Sequence, residues 1–166
     1  MKALVVYGTK SGCTAGVAEQ IGKTLAEKGF AAEVVAAQNA GSADDYDAVI
    51  VGSGVRAGTW HEAVRTWVSE NAEALKSRPV AFYTCGLTIT DESKADEVRA
   101  YTDAVIEATG VKPIDVGLFA GWNEPSKFSF LERTVMKVLK APVGDFRDYD
   151  AIATWTEGLA PELGTE

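Results

Sequence analysis

The sequence predicts an α/β fold, a five-stranded parallel sheet with helices on both faces. Short apolar runs alternate with amphipathic helical patterns from end to end. The run Ala48–Val51 is apolar throughout, as a parallel strand buried on both faces requires. No repeat, low-complexity segment or linker interrupts the 166 residues, a length that suits one domain with a sizeable core. The number of units fits the doubly wound strand order 2-1-3-4-5.

The chain opens on an apolar strand, Ala3 to Tyr7, followed by a loop of small polar residues, Gly8 to Cys13. Thr14–Lys28 reads as the first helix, with Val17, Ala18, Ile21 and Leu25 on one face and Gly29 in the C′ position. Ala31–Ala36 is the second strand, Gln38–Asp45 is polar and irregular, and Ala48–Val51 is the third strand. Trp60–Leu75 has a helical pattern with Ala63, Val64, Trp67, Val68 and Leu75 on or near one face. Pro79–Tyr83 is the fourth strand, Ser93–Thr109 a charged helix ended by Gly110, and Lys112–Phe119 the fifth strand. Lys127–Leu139 and Tyr149–Leu159 are the last two helices.

In such a sheet ligands bind beyond the carboxyl ends of the strands, beside the switch point between strands 1 and 3. The loops to inspect are therefore Gly8–Cys13, Ser53–Trp60, Cys85–Asp91 and Ala120–Ser126. The first is built for a phosphate: backbone N–H groups converge at a helix N-terminus, and Thr9, Ser11 and Thr14 add hydroxyl donors. A simple cap made by the same residues is the alternative. The loop is not a Walker A motif, because no Gly-Lys-Ser/Thr closes it and Lys10 lies inside the turn; nor is it G-x-G-x-x-G. In the second loop Gly52, Gly54 and Gly58 let the backbone approach a flat ligand, and Trp60 is placed to stack on it. A flexible connector with a helix start at Thr59 is the alternative there.

Composition narrows the partners. A net charge of −8 argues against nucleic acid and weakens any attraction to an anionic membrane. No run approaches a membrane span, and the N-terminus enters a strand without a signal-peptide pattern, so a cytoplasmic protein is expected. Cys13 and Cys85 follow strands two spacings apart, roughly 10 Å, beyond disulfide reach. Cys85 reads as a small packing residue of the site rather than a nucleophile. No metal site is expected.

The run Thr9-Lys10-Ser11-Gly12-Cys13-Thr14 resembles the T/S-x-T/S-G-x-T phosphate loop of flavodoxins. That resemblance implies a flavodoxin-like three-layer sandwich with non-covalent FMN, its phosphate held by hydroxyls and amides. Val51-Gly52-Ser53-Gly54-Val55-Arg56-Ala57-Gly58-Thr59-Trp60-His61 is similar to the I-G-A-S-I-R-Y-G-x-x-H segment of the flavodoxin-type, menaquinone-dependent protoporphyrinogen oxidases. Ala81-Phe82-Tyr83-Thr84 is similar to their A-F-Y-S strand, and Asp148-Tyr149 and Trp155 match in order. The resemblance implies an oxidoreductase that oxidises protoporphyrinogen IX and passes electrons to a quinone. It puts Thr9, Lys10, Ser11, Gly12, Cys13 and Thr14 around the phosphate. Ser53, Gly54, Val55, Arg56, Gly58 and Trp60 line one side of the flavin ring, and Thr84, Cys85, Gly86 and Leu87 the other. The stretch after strand four, Thr88–Glu97, is mainly acidic in this chain, which leaves open another substrate or a soluble redox-protein partner.

Arg56 and His61 are the residues expected to act on the chemistry. A cation about 6 Å from the ring, at an effective dielectric of about 20, would favour the reduced, anionic flavin by roughly 3 kcal/mol. That is on the order of 100 mV for one electron before solvent screening. An Arg56 turned outward to pair with a carboxylate is the alternative. His61, the one histidine, stands at a helix start, where it can donate a hydrogen bond, shuttle a proton or simply cap.

Within Lys127–Lys140 an apolar stripe runs through Phe128, Leu131, Val135, Val138 and Leu139, beside the basic residues Lys127, Arg133, Lys137 and Lys140. Packing of the stripe on the sheet is the expectation, and peripheral contact with a membrane or partner the alternative. Phe130 and Met136 fall off the stripe and would form a docking patch with Trp122. A simple electron carrier is the second functional reading. A receiver-type regulator is the third, and is weak because Gly8-Thr9 and Ser53-Gly54 stand where it needs acids.

Overall fold

The computed structural model describes residues 1–164. Five strands are mutually parallel: β1 (Lys2–Gly8), β2 (Ala31–Ala36), β3 (Ala48–Arg56), β5 (Val80–Gly86) and β6 (Val116–Ala120). They lie in the order β2-β1-β3-β5-β6, which is the expected 2-1-3-4-5, and a two-residue strand β4 (Thr59–Trp60) folds back on β3. Alternation along β1 sends Ala3 and Val5 to one face and Leu4 and Val6 to the other. The first face is covered by α1 (Cys13–Glu27) and α6 (Tyr149–Leu163), through Val17, Ile21 and Leu25 and through Ile152, Leu159 and Leu163. The second is covered by α2 (Glu62–Glu70), α3 (Ala72–Lys76) and α4 (Ala95–Thr109), through Val64, Trp67, Leu75 and Val105. Each such side chain contributes about 1.5–3 kcal/mol by leaving water. The chain is thus a flavodoxin-like α/β sandwich.

Register sets the site. Gly8 lies opposite Ser53, Gly54 opposite Cys85, and Gly86 opposite Ala120. Three strands therefore end level, and the loops after them open at one edge.

Several boundaries differ from the sequence reading. The third strand runs to Arg56 rather than Val51, because it turns back through Ala57 and Gly58, both at positive φ (50° and 74°), into β4. The helix expected over Trp60–Leu75 starts at Glu62 and breaks at Asn71. There the Asn71 side chain accepts from the Ala43 N–H and donates to the Trp67 carbonyl. The fifth strand begins at Val116, not Lys112, and the last helix runs on to Leu163.

The largest correction concerns the chain between β6 and α6. Residues Trp122–Asn123 (β7) and Gly144–Asp145 (β8) form a small antiparallel ribbon, and between them lies α5 (Phe130–Val138). α5 starts later than expected because Ser129 caps it, in a capping box with Glu132. Its stripe does not pack on the sheet: Leu131 is 74 % exposed, Val138 76 % and Leu139 71 %. Both sheet faces are already covered by the other helices, so this segment has no face left to fill.

Candidate functional site

The Thr9–Thr14 loop leaves a helix end without a cap. Thr9 folds it by accepting the Gly12 N–H at its Oγ1 (2.9 Å), and Gly12 takes the left-handed conformation (φ 89°) that lets the chain turn into α1. No side chain caps α1, so its first backbone N–H groups point out unpaired. Thr14 Oγ1 is buried and makes no hydrogen bond of ordinary geometry, its polar neighbour being the Cys85 thiol. A Cβ on Gly54 would lie 3.1 Å from it, so the hydroxyl sits in the crook between α1 and β3. Ser11 Oγ accepts from the Trp122 indole (3.0 Å), which leaves its own proton to give. An uncapped helix end, a buried hydroxyl with no ordinary hydrogen bond and a second hydroxyl proton form an anion cradle. Lys10 points away from it, its Nζ 2.9 Å from Glu132 Oε1. Cys13 is buried, and burial pushes its thiol above the ordinary range, so it packs rather than reacts.

The second loop is a hairpin. Ser53 Oγ donates to the Gly54 carbonyl and accepts from the His61 N–H (both 2.8 Å), tying the hairpin to the start of α2. Val55 pairs with Trp60 across the hairpin. Gly54 and Val55 are half-buried and Gly58 is exposed, so these three present the loop's accessible backbone. Trp60 does not: it is 1 % exposed, packs edge-on against Phe82, and donates its indole N–H to Thr84 Oγ1 (2.8 Å). Its expected stacking role gives way to a core role, because the antiparallel turn drives its ring into the α4 side of the sheet. His61 is the N-cap of α2, with Nδ1 accepting from the Ala63 N–H. Of the roles expected for it, this geometry supplies the cap.

Of the third loop, Thr84 is buried in a bond shared with Thr102, and Cys85 is buried on the α1 side, where desolvation holds its thiol well above the usual value. Gly86 and Leu87, where a short 3-10 turn begins, remain reachable. Both cysteines are free.

Three residues around these loops escaped the sequence reading. Trp122 covers the phosphate loop through Ser11, so it does not belong to an exposed patch with Phe130; Met136 is likewise half-buried. Arg147 lies over the Trp122 ring (4.2 Å), contacts the Cys13 carbonyl, and is held by Asp145 at 2.6 Å. That bond raises the Arg147 pKa and lowers the Asp145 pKa. Glu132 pairs with both Lys10 and Arg56, so Arg56 takes the outward, carboxylate-paired alternative. The only advance sign was spacing: Asp145-x-Arg147, and a Ser129-x-x-Glu132 capping box.

Comparisons with known proteins show the family and the fold. A family model described as "Flavodoxin domain" matches residues 4–150. A protein named protoporphyrinogen IX dehydrogenase (quinone) from Escherichia coli K12 is 24% identical, over 96% of this chain and 95% of its own length. One of the same name from Leishmania major is 26% identical, over 96% of this chain and 71% of its own. Among solved structures, oxidised flavodoxin 1 from Bacillus cereus superposes with a TM-score of 0.65 at 12% identity, covering 99% of this chain and 100% of that one.

Proposed function

Because the chain belongs to the flavodoxin-domain family, with FMN as its cofactor, we propose that it is an FMN-dependent oxidoreductase that takes electrons from a porphyrinogen and passes them to a quinone. The cradle fits the phosphate end of FMN. The buried Thr14 hydroxyl, without an ordinary hydrogen bond and at an uncapped helix end, is the observation that carries the reading. Thr9 shapes the loop by holding the Gly12 N–H, and Ser11, Thr14 and the backbone N–H groups of Cys13 and Thr14 supply the donors. Gly54, Val55 and Gly58 on one side, and Gly86 and Leu87 on the other, offer backbone to orient the ring. When bound, FMN supplies the redox chemistry, accepting electrons from the substrate and handing them on. The buried side chains of Trp60 and Thr84 stiffen the two walls from behind. Substrate and acceptor are supported by the names of relatives that align over nearly the whole chain.

The quinone points to a membrane surface. Among the described residues six of the nine exposed large apolar side chains lie between Phe130 and Val143: Phe130, Leu131, Val135, Val138, Leu139 and Val143. Lys127, Arg133, Lys137 and Lys140 stand among them, opposite in sign to a chain of net charge −8. An apolar face flanked by cations suits an anionic bilayer. No described helix is long and apolar enough to cross a membrane. The expected interaction is therefore peripheral.

The test is anaerobic turnover of protoporphyrinogen IX with FMN-loaded protein and menadione, read as porphyrin fluorescence. Oxidation well above that given by free FMN supports the dehydrogenase. FMN binding without turnover, but with rapid electron transfer to a redox protein, would instead make it a carrier; the acidic Thr88–Glu97 stretch favours that second reading.

A further inference from the structure

We propose that Glu132 is the cleft's own counter-ion, an internal anion that holds α5 across the cofactor loops and competes with anionic ligands for Lys10 and Arg56. One carboxylate oxygen, Oε1, faces both cations, Lys10 at 2.9 Å and Arg56 beside it. These cations come from the two loops that flank the switch point, so Glu132 spans the mouth of the site. Its other oxygen, Oε2, accepts the Ser129 N–H (2.8 Å) and completes the capping box. The carboxylate is 19% exposed, whereas Lys10 and Arg56 are about half exposed or more (61% and 47%).

These ion pairs are what holds the middle of α5 against the loops. α5 has no buried residue, and its outward arc runs from Phe130 through Leu131, Val135 and Val138 to Leu139. Only Glu132 and Met136 turn partly inward. The ion pairs to Lys10 and Arg56 thus tie α5 itself to the cofactor loops, while Trp122 and Arg147 tie the ribbon and its flank to the phosphate loop. An incoming phosphate meets a pair of cations already satisfied. It is attracted fully only when Glu132 lets go. Arg56 is likewise compensated while the tie holds, so its pull on the flavin ring is conditional on α5.

This inference rests on the FMN reading for its ligand but not for its geometry. Glu132→Gln removes the charge and keeps an acceptor for the Ser129 N–H, so the helix start survives. Two measurements are made on the purified protein. FMN titration by fluorescence quenching should give a Kd about fivefold lower for Glu132→Gln than for the natural chain, the effect of one charge at roughly 8 Å in a mostly aqueous dielectric. The affinity should also fall more steeply with added salt. Amide exchange of residues 129–138 in cofactor-free protein should speed up in Glu132→Gln, while α1 and α6 stay unchanged. Glu124→Gln, the same charge change outside the triad, should do neither. Equal or weaker FMN binding in Glu132→Gln would overturn the competition. Unchanged exchange in α5 would overturn the tie. If neither protein binds FMN, the cofactor reading fails on its own and the exchange measurement still decides the tie.

Discussion

The sheet and the insertion between β6 and α6 are held together by different forces. In the sheet, β1, β3 and β5 run as nearly unbroken buried segments, and every helix packed on them contributes fully buried side chains. In the insertion, α5 buries no residue, and its position depends on a cap, a two-residue ribbon and a few ion pairs. Burial is cooperative and hard to perturb at one point. Ion pairs across a solvent-exposed mouth are each weak and readily exchanged. The scaffold is therefore held by burial, and the insertion beside the candidate site by a cap, a short ribbon and polar contacts.

That contrast would break first at Trp60. If it is a core residue, Trp60→Ala should cost about 4 kcal/mol in urea unfolding, from the cavity and the lost indole hydrogen bond to Thr84; a loss below 1 kcal/mol would return it to the site. Next comes Thr14→Val. It should leave the stability of the cofactor-free protein unchanged or slightly raised, since the buried hydroxyl makes no hydrogen bond of ordinary geometry, yet weaken FMN by about 2 kcal/mol, the worth of a hydrogen bond to a charged group. A smaller effect belongs to the insertion's base. Asp145→Asn should cost about 1 kcal/mol at neutral pH, discounted for the exposure of Asp145. Because Arg147 lowers the Asp145 pKa in the folded state, this stability is present above the unfolded carboxyl value, about 3.9, and is lost as pH falls through the lower folded value. Thermal melts of the two proteins should accordingly converge toward acid. Smallest of all, Leu131→Ser on the open face of α5 should shift stability by less than about 0.5 kcal/mol, while reducing sedimentation with phosphatidylglycerol-containing vesicles.

The same contrast explains what was legible. Strands and helices whose period matches a buried face, such as Ala31–Ala36 and the α1 stripe, are visible in the sequence because hydropathy records burial. The Thr9–Thr14 loop stands out because small hydroxylic residues lie between a strand and a helix, where they either cap or meet an anion. The hairpin at Ala57-Gly58 is not, since its first turn residue is Ala rather than the Asn, Asp or Gly that marks such turns. Trp60 looked like a stacking residue because an aromatic in a Gly-rich loop gives no hint of which side of the sheet it falls on. Helix α5 has the period of a packed helix and no partner. Periodicity reports an apolar face but not what covers it. The Glu132 triad joins residues far apart in the chain, and no local pattern encodes such a meeting.

One detail of α1 reaches beyond the site. The helices α2, α5 and α6 each begin on a side-chain cap, from His61, Ser129 and Asp148, whereas α1 begins on Gly12 with none, as α3 and α4 do on Asn71 and Lys94. On the FMN reading, a helix of the first face's core starts without a side-chain cap and an anion settling there supplies the missing bonds. Cofactor binding, on that reading, completes this helix end. Its free energy adds to stability by mass action, about 2.7 kcal/mol at a hundredfold excess over Kd. A cell short of FMN would hold less of this protein, because the cofactor-free chain unfolds and is cleared more often.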